Sequence, residues 1–112
     1  PVPRSTKLKQ YQVNITATAF ADMESIYDYI ANDLQSPETA TAQFERIAIG
    51  IESLGNFPER CRIFDSDPER KLGIRQLRID NYSVIFVIER NRVTVIRVLY
   101  SASDILSRLS KP

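Results

Sequence analysis

The stretch YSVIFVIERNRVTVIRVLY, residues 82–100, decides how this chain folds. Two runs rich in β-branched and aromatic residues, YSVIFVI (82–88) and VTVIRVLY (93–100), flank the polar tetrapeptide ERNR, the pattern of a β-hairpin. Just upstream, IRQLRI (74–79) meets the first of them across Asp80-Asn81, a second short hairpin connection. Three strands in a row predict an antiparallel meander. One residue stands out in the last strand, because Arg97 sits amid apolar neighbours. With a side-chain period of two, Arg97 shares a face with Val93, Val95 and Leu99, while Thr94, Ile96, Val98 and Tyr100 point the other way. Ile96 and Val98 are then expected in the core, and Arg97 on an open face beside Arg75 or Arg78. The ordinary alternative is an arginine that pairs with a carboxylate or snorkels off the sheet.

Working back toward the N-terminus, NFPERCRIFDSDPERKLG (56–73) is turn-rich and charged, with room for a short strand around Cys61 to Phe64 and then a loop. Before it come two helical patterns. Ala19, Met23, Ile26, Ile30 and Leu34 fall on one helix face, with Thr16 or Thr18 as N-cap. Ser36-Pro37-Glu38 restarts the pattern, with Ser36 as cap and Pro37 at the first helical position. Ala40, Phe44, Ile47, Ile51 and Leu54 follow, and Gly55 is placed to end the helix. The two helices form an antiparallel hairpin whose outer faces carry acids. YQVNIT (11–16) alternates Tyr11, Val13 and Ile15 against polar residues, the period of a half-buried strand. Residues 1–10, PVPRSTKLKQ, read as a flexible arm or an expression remnant, and 11–112 as one domain. Beyond Tyr100, Ser101-Ala-Ser-Asp104 has the spacing of a capping box, followed by apolar Ile105, Leu106 and Leu109 of a short final helix. The expected class is α+β: an N-terminal strand, an antiparallel helix hairpin, a three- to four-stranded antiparallel sheet and a short C-terminal helix. One face of that sheet is expected to be open.

Composition narrows the chemistry. The 112 residues contain no histidine and one cysteine. Ser-His-Asp, Cys-His and histidine-based metal sites are excluded, as is an internal disulfide. The glycines at 50, 55 and 73 match neither nucleotide fingerprint. No cofactor and no metal are implied. Cys61, between Arg60 and Arg62, has no histidine to pair with and reads as a small buried hydrophobe. No apolar run approaches the roughly 20 residues of a membrane span and no signal peptide opens the chain, so a soluble, cytoplasmic protein is expected. The net charge of +1 conceals a division: residues 11–56 carry one basic residue against seven acids, and residues 57–112 eleven against seven. Such asymmetry points to a polyanionic or acidic partner for the second half.

The pattern from Tyr11 to Leu109 resembles the RelE/ParE superfamily of toxins from type II toxin-antitoxin modules. The resemblance rests on YQVNITATAFADMESIYDYI, GIESLGNFPER, GIRQLRIDNYSVIFVI and VIRVLYSASDI, in that order and spacing. It implies a growth-arresting toxin neutralised by a small, acidic cognate antitoxin that wraps an otherwise disordered segment around it. RelE-like members are ribosome-dependent mRNA endonucleases. Where those enzymes place arginines, this chain has Ser83 after Tyr82 and Ser101 at the end of the last strand. Without histidine, acid-base duty falls to Tyr100 or Lys71, whose ordinary pKa values near 10 suit neutral-pH proton transfer poorly. ParE-like members bind DNA gyrase and trap its cleaved-DNA complex, and Gly73, Arg75, Arg97 and Asp104 match that branch. The histidine and basic residue usual in that branch around positions 100–102 are absent. A third reading is an inactive relative that retains only antitoxin binding. The gyrase-directed reading is favoured, with Arg75, Arg78 and Arg97 as the anion-binding set, Tyr100 assisting and Lys71 lending loop charge.

Overall fold

A computed structural model describes residues 10–65, 67 and 69–100. The Ser101–Asp104 capping box, the final helix and all of the arm except Gln10 lie outside the described residues.

Strand β1 (Gln12–Ile15) leads directly into helix α1 (Ala17–Asp28). Thr16 makes that junction: its backbone is extended and its Oγ1 accepts from the Ala19 N–H at 3.0 Å, satisfying one of the free amides at the helix start. The helix continues into a π-helical turn, Tyr29–Asp33, and the chain reverses at Gln35, whose φ is 53°. The wider π turn alters the angular spacing on which the helical pattern depends, so Leu34, expected in the core, ends exposed. Helix α2 (Pro37–Glu52) starts with Pro37 at its first position. Ser36, expected from sequence to cap it, makes no side-chain cap hydrogen bond. Its hydroxyl donates to Thr39 Oγ1 instead, and only its carbonyl enters the helix ladder, accepting from Ala40. A 3₁₀ turn, Ser53–Gly55, closes the hairpin where Gly55 was expected to end it.

The sheet has five strands in the order β1-β5-β4-β3-β2, with β2 at Arg62–Ile63, β3 at Arg75–Ile79, β4 at Tyr82–Glu89 and β5 at Arg92–Tyr100. The last four are antiparallel neighbours, as the meander predicts. The N-terminal strand adds a parallel edge, with Val13 opposite Val93 and Ile15 opposite Val95, so the sheet is mixed rather than purely antiparallel. Chain direction explains this. The helix hairpin carries the chain across one face to the far edge, and three reversals then bring β5 back beside β1 in β1's own direction.

The two helices cover one face of the sheet. Ala19, Met23, Ile47, Ile51 and Leu54 pack there with Val84, Phe86, Val93, Val95 and Val98, and Phe86 is fully buried. Gly50 allows the close approach of α2 to β3: a Cβ there would come within 2.4 Å of Ile79 Cδ1. On the opposite face Phe64, Ile74 and Ile85 form a second buried cluster with Val87 and Ile96 against it. That face, expected open, is therefore closed over part of its area.

Asp80 fastens α2 to the β3–β4 turn. At φ 55° it adopts the left-handed conformation that a tight hairpin needs, which aspartate tolerates better than most residues. Its carboxylate accepts from Arg46 Nε at 2.7 Å and from the buried Gln43 amide at 3.0 Å. These two hydrogen bonds, Arg46 first, hold its pKa below the ordinary value. A carboxyl depressed in the folded state contributes stability above its unfolded pKa of about 3.9, and this is lost as pH falls through the folded value. Urea denaturation should therefore find Asp80→Asn less stable than wild type at neutral pH, with the gap closing as pH is lowered below about 4. A gap independent of pH would assign the effect to turn conformation alone.

Candidate functional site

The residues singled out from sequence do not meet in one place. Strand β5 carries a bulge: Ile85 faces Arg97 and Phe86 faces Val95, leaving Ile96 as the extra residue. The bulge reverses the alternation, so Val93, Val95 and Val98 all face the helices, which a strict period of two forbids. Ile96, expected in that core, packs in the second cluster. Arg97 lies opposite Ile85, yet it does not stand free on an open face beside Arg75 or Arg78, because Asp22 holds its guanidinium. Beyond Val95 the outer edge of β5 has outrun β1, and the start of α1 takes over. The Thr16 N–H donates to Val95 O at 3.1 Å and the Thr16 hydroxyl to Ile96 O at 3.3 Å. One turn on, the Asp22 carboxylate accepts from Arg97 Nε at 2.7 Å, from Arg97 Nη2 at 3.0 Å and from the Val98 N–H at 3.0 Å. The side chains of Arg97 and Asp22 are 26% and 15% exposed, and the hydrogen bond to Asp22 raises the arginine's pKa above its already high ordinary value.

Arg75 is also engaged. Its Nη1 donates to the carbonyls of Glu59 at 3.1 Å and Cys61 at 2.7 Å, binding the 59–61 segment to β3. Beside that segment Glu59 also accepts a hydrogen bond from the Tyr11 hydroxyl. Arg78 is exposed, with its Nε on Asp80 O at 2.9 Å. It shares a surface groove of about 500 Å³ with Arg60, Arg62, Cys61, Gln76 and Leu77. The groove forms because β2 pairs only with residues 75 and 76 of β3, leaving a notch along the rest of that strand. Arg60 and Arg62 are the cationic residues that sequence reasoning passed over. Their alternation about a buried Cys61 is the signal that both point away from the core. Burial pushes the Cys61 thiol pKa up despite Arg60 and Arg75 nearby, so it behaves as core rather than as a nucleophile.

Tyr100 does not line this notch. It is 58% exposed and meets Tyr82 edge-on, with ring centroids 5.8 Å apart. The two rings line a groove of about 610 Å³ with Tyr29, Leu34, Ile26 and Val98, between the end of α1 and the tip of β5. Burial, then the neighbouring Tyr100 and Tyr29, raises the Tyr82 pKa, which makes it a poor base near neutrality. Lys71 lies exposed in the loop before β3. The surface thus offers a cationic notch at one edge of the sheet and a tyrosine-lined groove near the other.

The family described as ParE toxin of type II toxin-antitoxin system, parDE, matches residues 13–105. The chain belongs to the ParE toxin family. It is a toxin of a type II toxin-antitoxin system. No curated protein matches the chain. Among solved structures, this ParE-family fold is similar to one of the chromosomal ParDE toxin-antitoxin system from P. aeruginosa. That likeness has a TM-score of 0.71 and 20% identity over 84% of this chain and 99% of the other. It also resembles a chain of the RelBE2 toxin-antitoxin complex from Mycobacterium tuberculosis, with a TM-score of 0.56 and 21% identity over 81% and 98% of the two chains. A YoeB dimer from Staphylococcus aureus gives a TM-score of 0.51 and 13% identity over 81% and 97%. These likenesses establish a shared RelE/ParE-like fold.

The Asp22 clasp makes a direct prediction for this ParE-family chain. Asp22→Ala strands a half-buried guanidinium and a strand amide together, and should cost about 1–3 kcal/mol in urea denaturation. Asp22→Asn, which keeps an acceptor for Val98, should cost less. Equal stability of Asp22→Ala and wild type would show that the clasp contributes nothing.

Proposed function

We propose that this toxin arrests growth by binding DNA gyrase, and that a cognate antitoxin holds it inactive. The observation that carries the non-hydrolytic reading is Ser83. It occupies the position where the resemblance expects a nuclease's arginine, yet it is 1% exposed and its hydroxyl donates to Gln76 Oε1 at 3.2 Å. A buried serine offers a phosphodiester neither charge nor a proton. The placement of the other arginines supports the same reading. Arg97 is held by Asp22 and Arg75 by two carbonyls, so neither is poised over a reacting group. Arg62 and Arg78 line a surface groove beside Arg60, whose guanidinium is tied to the Asn56 and Phe57 carbonyls, and such a surface suits binding to a protein–DNA complex better than acid-base catalysis.

On this reading the antitoxin occupies the groove lined by Tyr29, Leu34, Tyr82 and Tyr100. Its mixture of exposed apolar area and tyrosine hydroxyls is the composition of interface anchors. An incoming segment there meets the tip of β5 and the end of α1 together.

Induced expression in a bacterial host, with thymidine and amino-acid incorporation followed in parallel, tests the target. Thymidine incorporation should fall first, and the purified toxin should inhibit gyrase supercoiling in vitro. An earlier fall in amino-acid incorporation would transfer the assignment to ribosome-bound mRNA. Accumulation of soluble protein with neither label falling would leave antitoxin binding as the retained function.

The notch is tested separately. Charge reversal by Arg62→Glu with Arg78→Glu should relieve growth arrest by roughly tenfold or more in colony counts, with thermal stability nearly unchanged because both side chains are exposed. Undiminished toxicity of the double variant would remove the notch from the target-binding surface.

A further inference from the structure

The acidic half of the chain carries a surface that neither the gyrase reading nor the tyrosine groove uses. On the outer side of the helix hairpin, Phe20, Tyr27 and Phe44 line a groove of about 600 Å³ together with Glu24, Asp28, Thr41 and Glu45. Phe44 is central: its ring centroid is 6.5 Å from that of Phe20 and 6.4 Å from that of Tyr27, both edge-to-face. Phe20 is 45% exposed, an unusual position for a phenylalanine on a helix with a core-facing stripe of its own. A second, shallower depression continues the groove along α2 past Thr41 and Glu45 to Glu38 and Pro37. Among the described residues, none of Glu24, Asp28, Glu38 and Glu45 has an ion-pair partner.

We infer that this groove is a docking site for a basic segment of a partner protein, anchored by an arginine or lysine seated among the three rings. Aromatic faces attract a cation within about 6 Å, and their apolar bodies accommodate the methylene stem that such a side chain brings with it. The carboxylates at the rim then meet the charged head and the neighbouring basic residues of the same segment. Charge complementarity selects the occupant. Glu24, Asp28, Glu38 and Glu45 line the groove and its continuation with no basic residue beside them, so this face repels an acidic segment and steers a basic one toward it. The continuation along α2 favours an extended or helical segment over a single small cation, because the acidic rim outruns what one ammonium group can neutralise. The inference does not rest on the identity of the toxin's target, since the groove shares no lining residue with the basic notch or with the tyrosine groove.

The full-length chain, isotopically labelled, can be titrated with an amidated helical peptide of Ala, Leu and Arg while backbone amide resonances are followed. Control peptides carry citrulline or Glu in place of every Arg. The Arg peptide should shift resonances around Phe20, Tyr27, Thr41 and Phe44, and its Kd should weaken about tenfold or more between roughly 0.05 and 0.5 M salt. Glu24→Gln with Glu45→Gln, both exposed and checked for fold by circular dichroism, should weaken binding by about tenfold. Phe20→Ala should weaken it by a similar factor with the salt dependence retained. The proposal is overturned by equal binding of the citrulline or Glu peptide. It also fails if the shifts centre on Tyr82 and Tyr100, or if none appear at about 1 mM peptide. Self-association in sedimentation that Arg62→Glu abolishes would overturn it too, by assigning the groove to the basic notch of a second copy.

Discussion

The carboxylate of Asp22 fixes the relation between helix and sheet on which the other surfaces depend. One side chain accepts from both Arg97 nitrogens and from the Val98 amide, and so joins α1 to β5 where β1 has run out. An unpaired strand edge is a template for pairing with another chain. Here Thr16 covers its first part and Asp22 the next, so the edge is closed by the same residues that start and orient the helix. Charge-assisted hydrogen bonds are individually worth about 1.5–3 kcal/mol when half buried, and a bidentate pair adds direction as well as energy. Direction is the important part. Because the guanidinium and the strand amide must both reach one carboxylate, α1 has little freedom to slide or rotate along β5, and the tyrosine groove between them keeps its shape.

The bulge at Ile96 is the counterpart of that clasp. Without it Val98 would face away from the helices and the core would lose a fully buried valine. One extra residue lets β5 contribute Val93, Val95 and Val98 to a single face. The local rise in twist that accompanies a bulge also suits a strand whose neighbour changes from β1 to a helix end. A charged residue in a β-branched run is thus accommodated by geometry rather than by exposure.

Sequence reasoning reached the elements because their signals are local. The Thr16 cap, the proline at the start of α2 and the two hairpins each depend on a few adjacent residues, and all stand where expected. Features that depend on distant partners were not legible. Nothing in VTVIRVLY marks Ile96 as an extra residue, since no glycine sits there. Nothing near Asp22 marks it as the partner of a residue 75 positions away. The parallel placement of β1 follows from the path of the whole chain and leaves no mark on YQVNIT itself. The candidate site suffered most, because an arginine's type announces cationic chemistry whether its guanidinium is well exposed, as at Arg62, or bound to backbone carbonyls, as at Arg75.

That distinction matters for how mutations in this toxin are to be interpreted. Arg75 and Arg97 make hydrogen bonds that hold elements together, so their removal lowers stability and, through it, abundance in the cell. Loss of growth arrest in such variants reports on the amount of folded toxin and says little about its target. Among the described residues Arg62 pairs with Asp65, at 3.5 Å with both side chains well exposed, and a solvated pair of that kind contributes little to folding. Function can therefore be read most cleanly at Arg62, less so at Arg78, whose Nε donates to Asp80 O, and least at Arg75 and Arg97. The acidic residues present the same separation in opposite charge: Asp80 ties α2 to the sheet with its carboxylate, whereas Glu24 and Glu45 have no ion-pair partner among the described residues. In both halves the charged residues divide into those consumed by the fold and those left at the surface, and only the second group is available to a partner.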